Sequence, residues 1–237
     1  MITDTPRIAA SSYSNTAPLI WSFLYGSNHG KAELILDNAP ARSAELLAQN
    51  RVDAALVPVI AYLTIKNARL IPDVCVGAKK RVRSVCLVTK GVELENVKTV
   101  SLDNSSRTSI ALTKIIFREF LGFEPRWREA APDIESMLKK SDAALLIGDP
   151  ALVIAECGLW NADSNPKSKI QNLESFDLAE LWHRYTGLGF VFAMWMTTGS
   201  KLDLDFAAAR DQGLRHVDEI AANYESEIGL NRKEIRR

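Results

Sequence analysis

The sequence predicts an α/β protein of two lobes with a central cleft, on three observations. Short apolar runs of strand length alternate with segments whose apolar residues recur at helical spacing, the pattern of strand–helix–strand units with parallel pairing. Two of those runs, DAALVPV from Asp53 and DAALLIGDP from Asp142, have the same strand-and-turn form, each after a helix. Polar loops around Asn15 and Asn104 each follow a strand and start a helix. This repetition implies two lobes of like topology, each bringing a polar loop and a strand end to one cleft. Ligands of open α/β sheets bind beyond the carboxyl ends of the strands.

In chain order, residues 7–10 read as a strand and the polar stretch SSYSNTAPL (11–19) follows. Leu19, Ile20, Phe23 and Leu24 have helical spacing; Asn15 or Thr16 is placed to cap that helix, and Pro18 suits its first turn. Residues 33–37 form a second strand, Pro40 begins a helix with Ala44, Leu47 and Ala48 on its apolar face, and Asn50 ends it. Residues 53–59 are an apolar strand turning at Pro58 into a short helix through Tyr62 and Ile65. Strands follow at 70–77 and 84–89, separated by the basic run KKRVR (79–83). The second lobe repeats the form: a strand at 99–102, the loop DNSSRTS (103–109), an amphipathic helix at 110–121 closed by Gly122, and a strand at 125–130. A helix from Pro132 then leads to a strand at 142–147 and a short helix to Cys157. The Asn-, Ser- and Pro-rich stretch 161–169 reads as a loose connection. A helix at 178–185, a strand at 190–198 and one long helix from Phe206 to Tyr224 close the chain.

Composition narrows the function. The 237 residues suffice for one large or two small domains, and 47% are hydrophobic, enough for an extensive core. Lys plus Arg and Asp plus Glu number 29 each, which argues against a broad nucleic-acid or anionic-membrane surface. No run approaches the roughly 18 apolar residues of a membrane span, and MITDTPR does not read as a secretory signal. Cys75, Cys86 and Cys157 are too few and too scattered for a disulfide framework or a zinc site and are expected as buried thiols. No metal-ligand cluster, nucleophile elbow or phosphate-binding glycine loop is present.

The candidate chemistry lies in the two polar loops. Asn104–Ser109 offers five hydroxyl or amide side chains and Arg107 at a helix start, more than capping requires, so the loop reads either as an anion site or as a solvated turn. The loop at Asn15 has the same two readings. Asp149, after a strand and a glycine, serves as a base, a hydroxyl acceptor or a helix cap. His183 suits a helix C-terminus, and His29 and His216 read as incidental. The residues alone do not separate a binder from an enzyme.

Five segments in order, SSYSNTAPL, VRSVCLVTK, SLDNSSRTSIALTKII, DAALLIGDPAL and LWHRYTGLGFVFAMW, resemble the chorismate dehydratases of the futalosine route to menaquinone, over nearly the whole chain. The resemblance implies a two-lobed, type-two periplasmic-binding-protein-like fold in a cytoplasmic enzyme. Lobe one is then 1–86 plus 191–237, lobe two 87–190, with crossover strands near 84–90 and 188–196. It implies loss of water from chorismate to give 3-[(1-carboxyvinyl)oxy]benzoate, with no metal or organic cofactor and with no nucleic-acid or membrane partner. It places Asn15 nearest the chemistry and Ser14, Ser84, Ser105, Ser106, Thr108, Ser109 and Asp149 around the dicarboxylate substrate. A neutral amide is too weak a base for proton removal, so Asn15 is expected to orient the substrate while the enolpyruvyl carboxylate or a water takes the proton. The chain departs from the family at Ser14, where an apolar residue is usual, and at 78–81 (AKKR), where small or acidic residues are usual. Rivals are the 1,4-dihydroxy-6-naphthoate synthase of the same route, disfavoured because DNSSRTS lacks a histidine, and a solute-binding protein without catalysis.

Overall fold

The structure, a computed structural model, describes residues 5–156, 173–199 and 202–236. The chain divides into two compact units, Met1–Val76 with Val191–Arg237, and Gly77–Phe190. It lays down β1 (Arg7–Ser11), α1 (Ala17–Leu24), β2 (Glu33–Asp37), α2 (Pro40–Ala48), β3 (Ala54–Pro58) and β4 (Arg69–Ala78) in the first unit. The second unit follows with β5 (Val85–Lys90), β6 (Thr99–Asp103), α3 (Thr108–Ile115), β7 (Arg126–Ala130), α4 (Ile134–Lys140), β8 (Ala143–Ile147), α5 (Gly148–Glu156), β9 (Leu173–Asp177) and α6 (Leu178–Thr186). The chain returns as β10 (Phe190–Thr197), α7 (Phe206–Leu214), α8 (Val217–Ile228) and α9 (Arg232–Arg236). The stretch 161–169 and Cys157 lie outside the described residues.

Each unit is built on one five-stranded sheet, ordered β2-β1-β3-β10-β4 in the first and β7-β6-β8-β5-β9 in the second. The sheets are mixed, not parallel throughout. β1 runs parallel to β2 and β3, and β6 parallel to β7 and β8, as the alternating pattern implies. β10 is antiparallel to β3, and β5 is antiparallel to both β8 and β9. The reason is where these strands begin. Ala193 pairs with Pro58 and Val85 with Ile147, so each antiparallel strand starts at the edge where its parallel neighbours end.

The strands that run across the division are β4 and β10, whereas the sequence predicts a first crossover at 84–90 and a first lobe reaching residue 86. Val85 and Cys86 pair with Ile147 and Leu146, which fixes them in the second sheet. β9 was not anticipated, because LESFD holds too few apolar residues to stand out.

In the first unit, Trp195 of β10 is fully buried, with ring centroids 6.4 Å from Phe23 and 4.6 Å from Phe206. This ties α1 and α7 to one face of the sheet. The two helices meet at Gly213, where an added Cβ would lie 1.9 Å from the carbonyl oxygen of Pro18. The single closing helix expected over 206–224 is two, α7 and α8, broken at Arg215 and His216. The break lets His216 stack on Trp21 at 3.7 Å, so this histidine, read as incidental, clamps α8 to α1. In the second unit, α3 starts two residues earlier than expected and its last turn, Ile116–Leu121, widens to a π-helix ending at left-handed Gly122.

Of the two described cysteines, one differs from expectation. Cys86 is buried in β5, and burial pushes its thiol up to about 12. Cys75 is exposed, since β4 is the sheet's edge strand and Cys75 points opposite to buried Val74.

Two outcomes are expected. Gly213→Ala drives a methyl into backbone that cannot yield, costing about 1–3 kcal/mol and lowering the urea midpoint. An aromatic disulfide reagent at pH 8 labels Cys75 in the native protein and leaves Cys86 unlabelled until urea is added, as read by peptide mapping.

Candidate functional site

In the second unit the register gathers four segments at one sheet edge. β6 and β8 end there together, because Leu102 pairs with Leu145; β5 starts there, because Val85 pairs with Ile147; and β9 ends there, because Cys86 pairs with Asp177. Ser84, the 104–109 loop, the Gly148–Asp149 turn and Asp177 therefore share an edge. Six residues singled out from sequence, Ser84, Ser105, Ser106, Thr108, Ser109 and Asp149, are thus brought to one side of one unit. Ser84, Ser105, Ser106, Thr108 and Ser109 are buried, and Asp149 is half-buried in the first turn of α5, where a carboxylate suits the helix dipole.

Local bonds hold these segments. Gly148, at φ +67°, donates its N–H to the Ser84 carbonyl at 2.8 Å, locking the two turns together. Arg83 is left-handed at φ +63°, a strained state for a residue with a side chain. Asp177 maintains it: one carboxylate oxygen accepts from the N–H groups of Val82 and Arg83 at 2.9 and 2.7 Å, and the other caps α6 through Ala179 and Glu180. The Arg83 guanidinium meets Glu156 at 2.7 Å, and Arg81 lies 3.4 Å from Glu180. The basic run 79–83 is thereby anchored by acids of its own unit at both arginines.

The loop after β6 is arranged by Asp103, the last residue of that strand, where the sequence predicts only the first position of a polar loop. Its Oδ1 accepts from the Ser105 N–H at 2.9 Å and the Ser105 hydroxyl at 2.6 Å, while its carbonyl accepts from the Ser106 N–H. The signal was an Asp followed by a Ser two residues on, the composition of an Asx turn. Arg107 stands at the cap position of α3 and forms no side-chain cap bond.

In the first unit, Ser14 and Asn15 lie beyond the carboxyl end of β1. Thr16 is the cap residue of α1, but its hydroxyl turns back to the carbonyls of Ser11 and Tyr13 at 2.7 and 2.8 Å and makes no cap bond. Thr16 therefore holds the cap position without the side-chain cap bond expected of it. The first-turn donors are satisfied otherwise: Ala17 N–H bonds the Tyr13 and Ser14 carbonyls, Leu19 N–H bonds Thr16, and Pro18 has none. The helix start is thus closed to an anion at these groups, and the exposed Asn15 is what the loop presents. Ser12 is tied on three sides, by N–H to Asp37, by its hydroxyl to Asn38 at 2.5 Å, and by the Tyr224 hydroxyl to its carbonyl at 2.7 Å. Ser14 is buried.

Two cavities of 600 and 1120 Å³ lie elsewhere, lined by Lys98 and Arg126 in one case and Arg7 and Asp53 in the other. These residues begin strands, whereas the loops follow strand ends. Among the described residues no helix is long and apolar enough to cross a membrane.

Solved structures show similar architecture. An Archaeoglobus fulgidus protein matches with a TM-score of 0.66 at 16% identity, covering all of this chain and 87% of its own. The periplasmic aliphatic sulphonate binding protein of Escherichia coli matches with a TM-score of 0.64 at 14% identity, covering 98% of this chain and 77% of its own. A Candida albicans protein described as having the generic periplasmic binding protein fold matches at 0.56, with 14% identity over 99% and 79% of the chains. The fold class is therefore that of the periplasmic binding proteins. Within it, residues 6–237 match the family described as menaquinone biosynthesis, and the chain belongs to that family. A chorismate dehydratase from Thermus thermophilus is 32% identical over 228 residues, covering 92% of this chain and 81% of the relative.

Asp177→Ala is expected to release four backbone donors at once and to lower stability by about 2 kcal/mol or more, read by urea unfolding. Asp177→Asn retains an acceptor and recovers part of the loss.

Proposed function

We propose that this protein is a chorismate dehydratase acting in the futalosine route to menaquinone, in the cytoplasm. The reading is carried by the family relation to the Thermus thermophilus enzyme; the two polar loops then supply its residues. The reaction breaks the ring C3–H bond, forms a C3–C4 double bond and expels the C4 hydroxyl as water. The ring becomes aromatic and no atom needs an external oxidant, so no redox cofactor takes part. What remains for the protein is orientation and help in moving one proton.

In this reading Asn15 is the residue nearest the chemistry. Its exposed amide hydrogen-bonds and orients the substrate, and the enolpyruvyl carboxylate or a bound water takes the C3 proton. Ser84, Ser105, Ser106, Thr108 and Ser109 serve the two carboxylates from the second unit's edge, as short donors that charged acceptors strengthen. Asp149 accepts from the substrate hydroxyl, and Ser14 supports the Asn15 loop.

The test is incubation of the purified protein with chorismate and no added cofactor, followed by mass spectrometry. Loss of one water is expected, with Asn15→Ala reducing kcat about a hundredfold through lost orientation. Wild-type turnover by Asn15→Ala removes that residue from the mechanism. Chorismate binding without loss of water makes the protein a carrier instead.

A further inference from the structure

Asp103 is the last residue of β6 and is fully buried. One of its carboxyl oxygens holds the Ser105 N–H and hydroxyl; the other, Oδ2, is buried with no hydrogen-bond partner among the described residues. An ionised carboxylate left half-satisfied away from water is costly, and a neutral acid in the same place is not. Burial accordingly pushes the Asp103 carboxyl above the usual carboxylate range. The hydroxyl and N–H of Ser105 pull it back in part, and the backbone N–H of Ile147 on β8 does so weakly without forming a hydrogen bond to Oδ2; no charged side chain acts on the group among the described residues. The group stands at the head of the loop that carries Ser105, Ser106, Thr108 and Ser109.

We propose that Asp103 is a positioning residue that acts through Ser105 and sets which way the Ser105 hydroxyl faces. As a carboxylate, Asp103 takes the Ser105 hydroxyl hydrogen for itself, so Ser105 offers a ligand only lone pairs. As a neutral acid, Asp103 donates to Ser105 Oγ, and the Ser105 hydrogen is released to a substrate carboxylate. Passing from the first form to the second takes up one proton from solvent on the Asp103 carboxyl; the Ser105 hydroxyl keeps its own hydrogen and only its direction changes. A dianionic substrate selects the neutral form, because it gains a donor and avoids a buried like charge. This inference rests on the reading of the 104–109 loop as a carboxylate site.

The sign follows directly. The neutral form prevails below the raised pKa, so affinity for a dianion is full there and falls as pH rises through it. Above about pH 5 a substrate of two carboxylates no longer titrates. The test is kcat and KM for chorismate between pH 5 and 9 in the wild type, Asp103→Asn, Ser105→Ala and the Asp103→Ala and Asp103→Ala/Ser105→Ala variants. The wild-type KM is expected to climb about tenfold per pH unit beyond the Asp103 pKa, with kcat moving far less. Asp103→Asn cannot titrate and is expected to give a flat KM; Ser105→Ala lacks the relay but keeps the titrating carboxyl, and is expected to give a higher KM with a shallower rise than the wild type. The double variant is expected to lose no more than the worse single one. Carbon-13 NMR of aspartate-labelled protein, with the Asp103 carboxyl assigned by its absence in Asp103→Asn, reads the same group without substrate. Titration at the ordinary carboxylate value overturns the proposal, as does a flat wild-type KM or a wild-type slope surviving in Asp103→Asn. No turnover by the wild type at any pH overturns the functional reading and this inference with it; turnover with a flat KM overturns the inference alone.

Discussion

Burial of the central strands governs where polar chemistry can stand in this protein. β3 (AALVP) and β8 (AALLI) are buried at all five positions, and β5 is buried along all but its last residue. A ligand-facing polar group in these strands would have to be taken out of water. Polar residues are therefore displaced to the strand ends. Mixed pairing makes one set of ends coincide: β5 starts where β6 and β8 finish, because it runs against β8. Had β5 been parallel to β8, Ser84 would have stood at the opposite edge from Ser105 and Asp149.

The same burial makes hydrogen-bond supply the deciding quantity at that edge. Two buried aspartates stand there with different company. Asp177 receives four backbone N–H groups, two on each oxygen, and holds the strained Arg83 turn before Ser84. Asp103 has one oxygen engaged by Ser105 and one without a hydrogen-bond partner among the described residues. The first is a structural anchor; the second is a carboxyl that burial pushes above the usual carboxylate range, at the head of a loop of buried hydroxyls. Residue type alone does not separate them, since two of the four donors around Asp177, the N–H groups of Val82 and Arg83, come from a segment nearly a hundred positions away in sequence.

The first unit reaches a comparable end by packing. Gly213 lets α7 lie on the start of α1, the Trp21–His216 stack holds α8 there, and Tyr224 bonds the Ser12 carbonyl. The loop before Asn15 is stiff before any ligand arrives, which lowers the ordering cost of using an exposed amide. The α1 start is not an open anion cradle, because its first donors already have carbonyl partners in the loop.

Much of this was legible in the residues. The α/β class, most element positions, the hydroxyl loop after β6 and the Gly148–Asp149 turn follow from period, turn chemistry and ordered motifs, all of which act over a few residues. The direction of β5 and β10, the break at Arg215–His216, the exposure of Cys75 and the separate fates of Asp103 and Asp177 were not, because each depends on what a distant segment places beside it. Sequence by itself determined which short segments become strands, helices and polar turns, since local propensity and burial pattern are carried in consecutive side chains. Only the tertiary structure decided which strand ends meet and which buried carboxyl finds its donors, because pairing direction and hydrogen-bond supply are set between residues far apart in the chain.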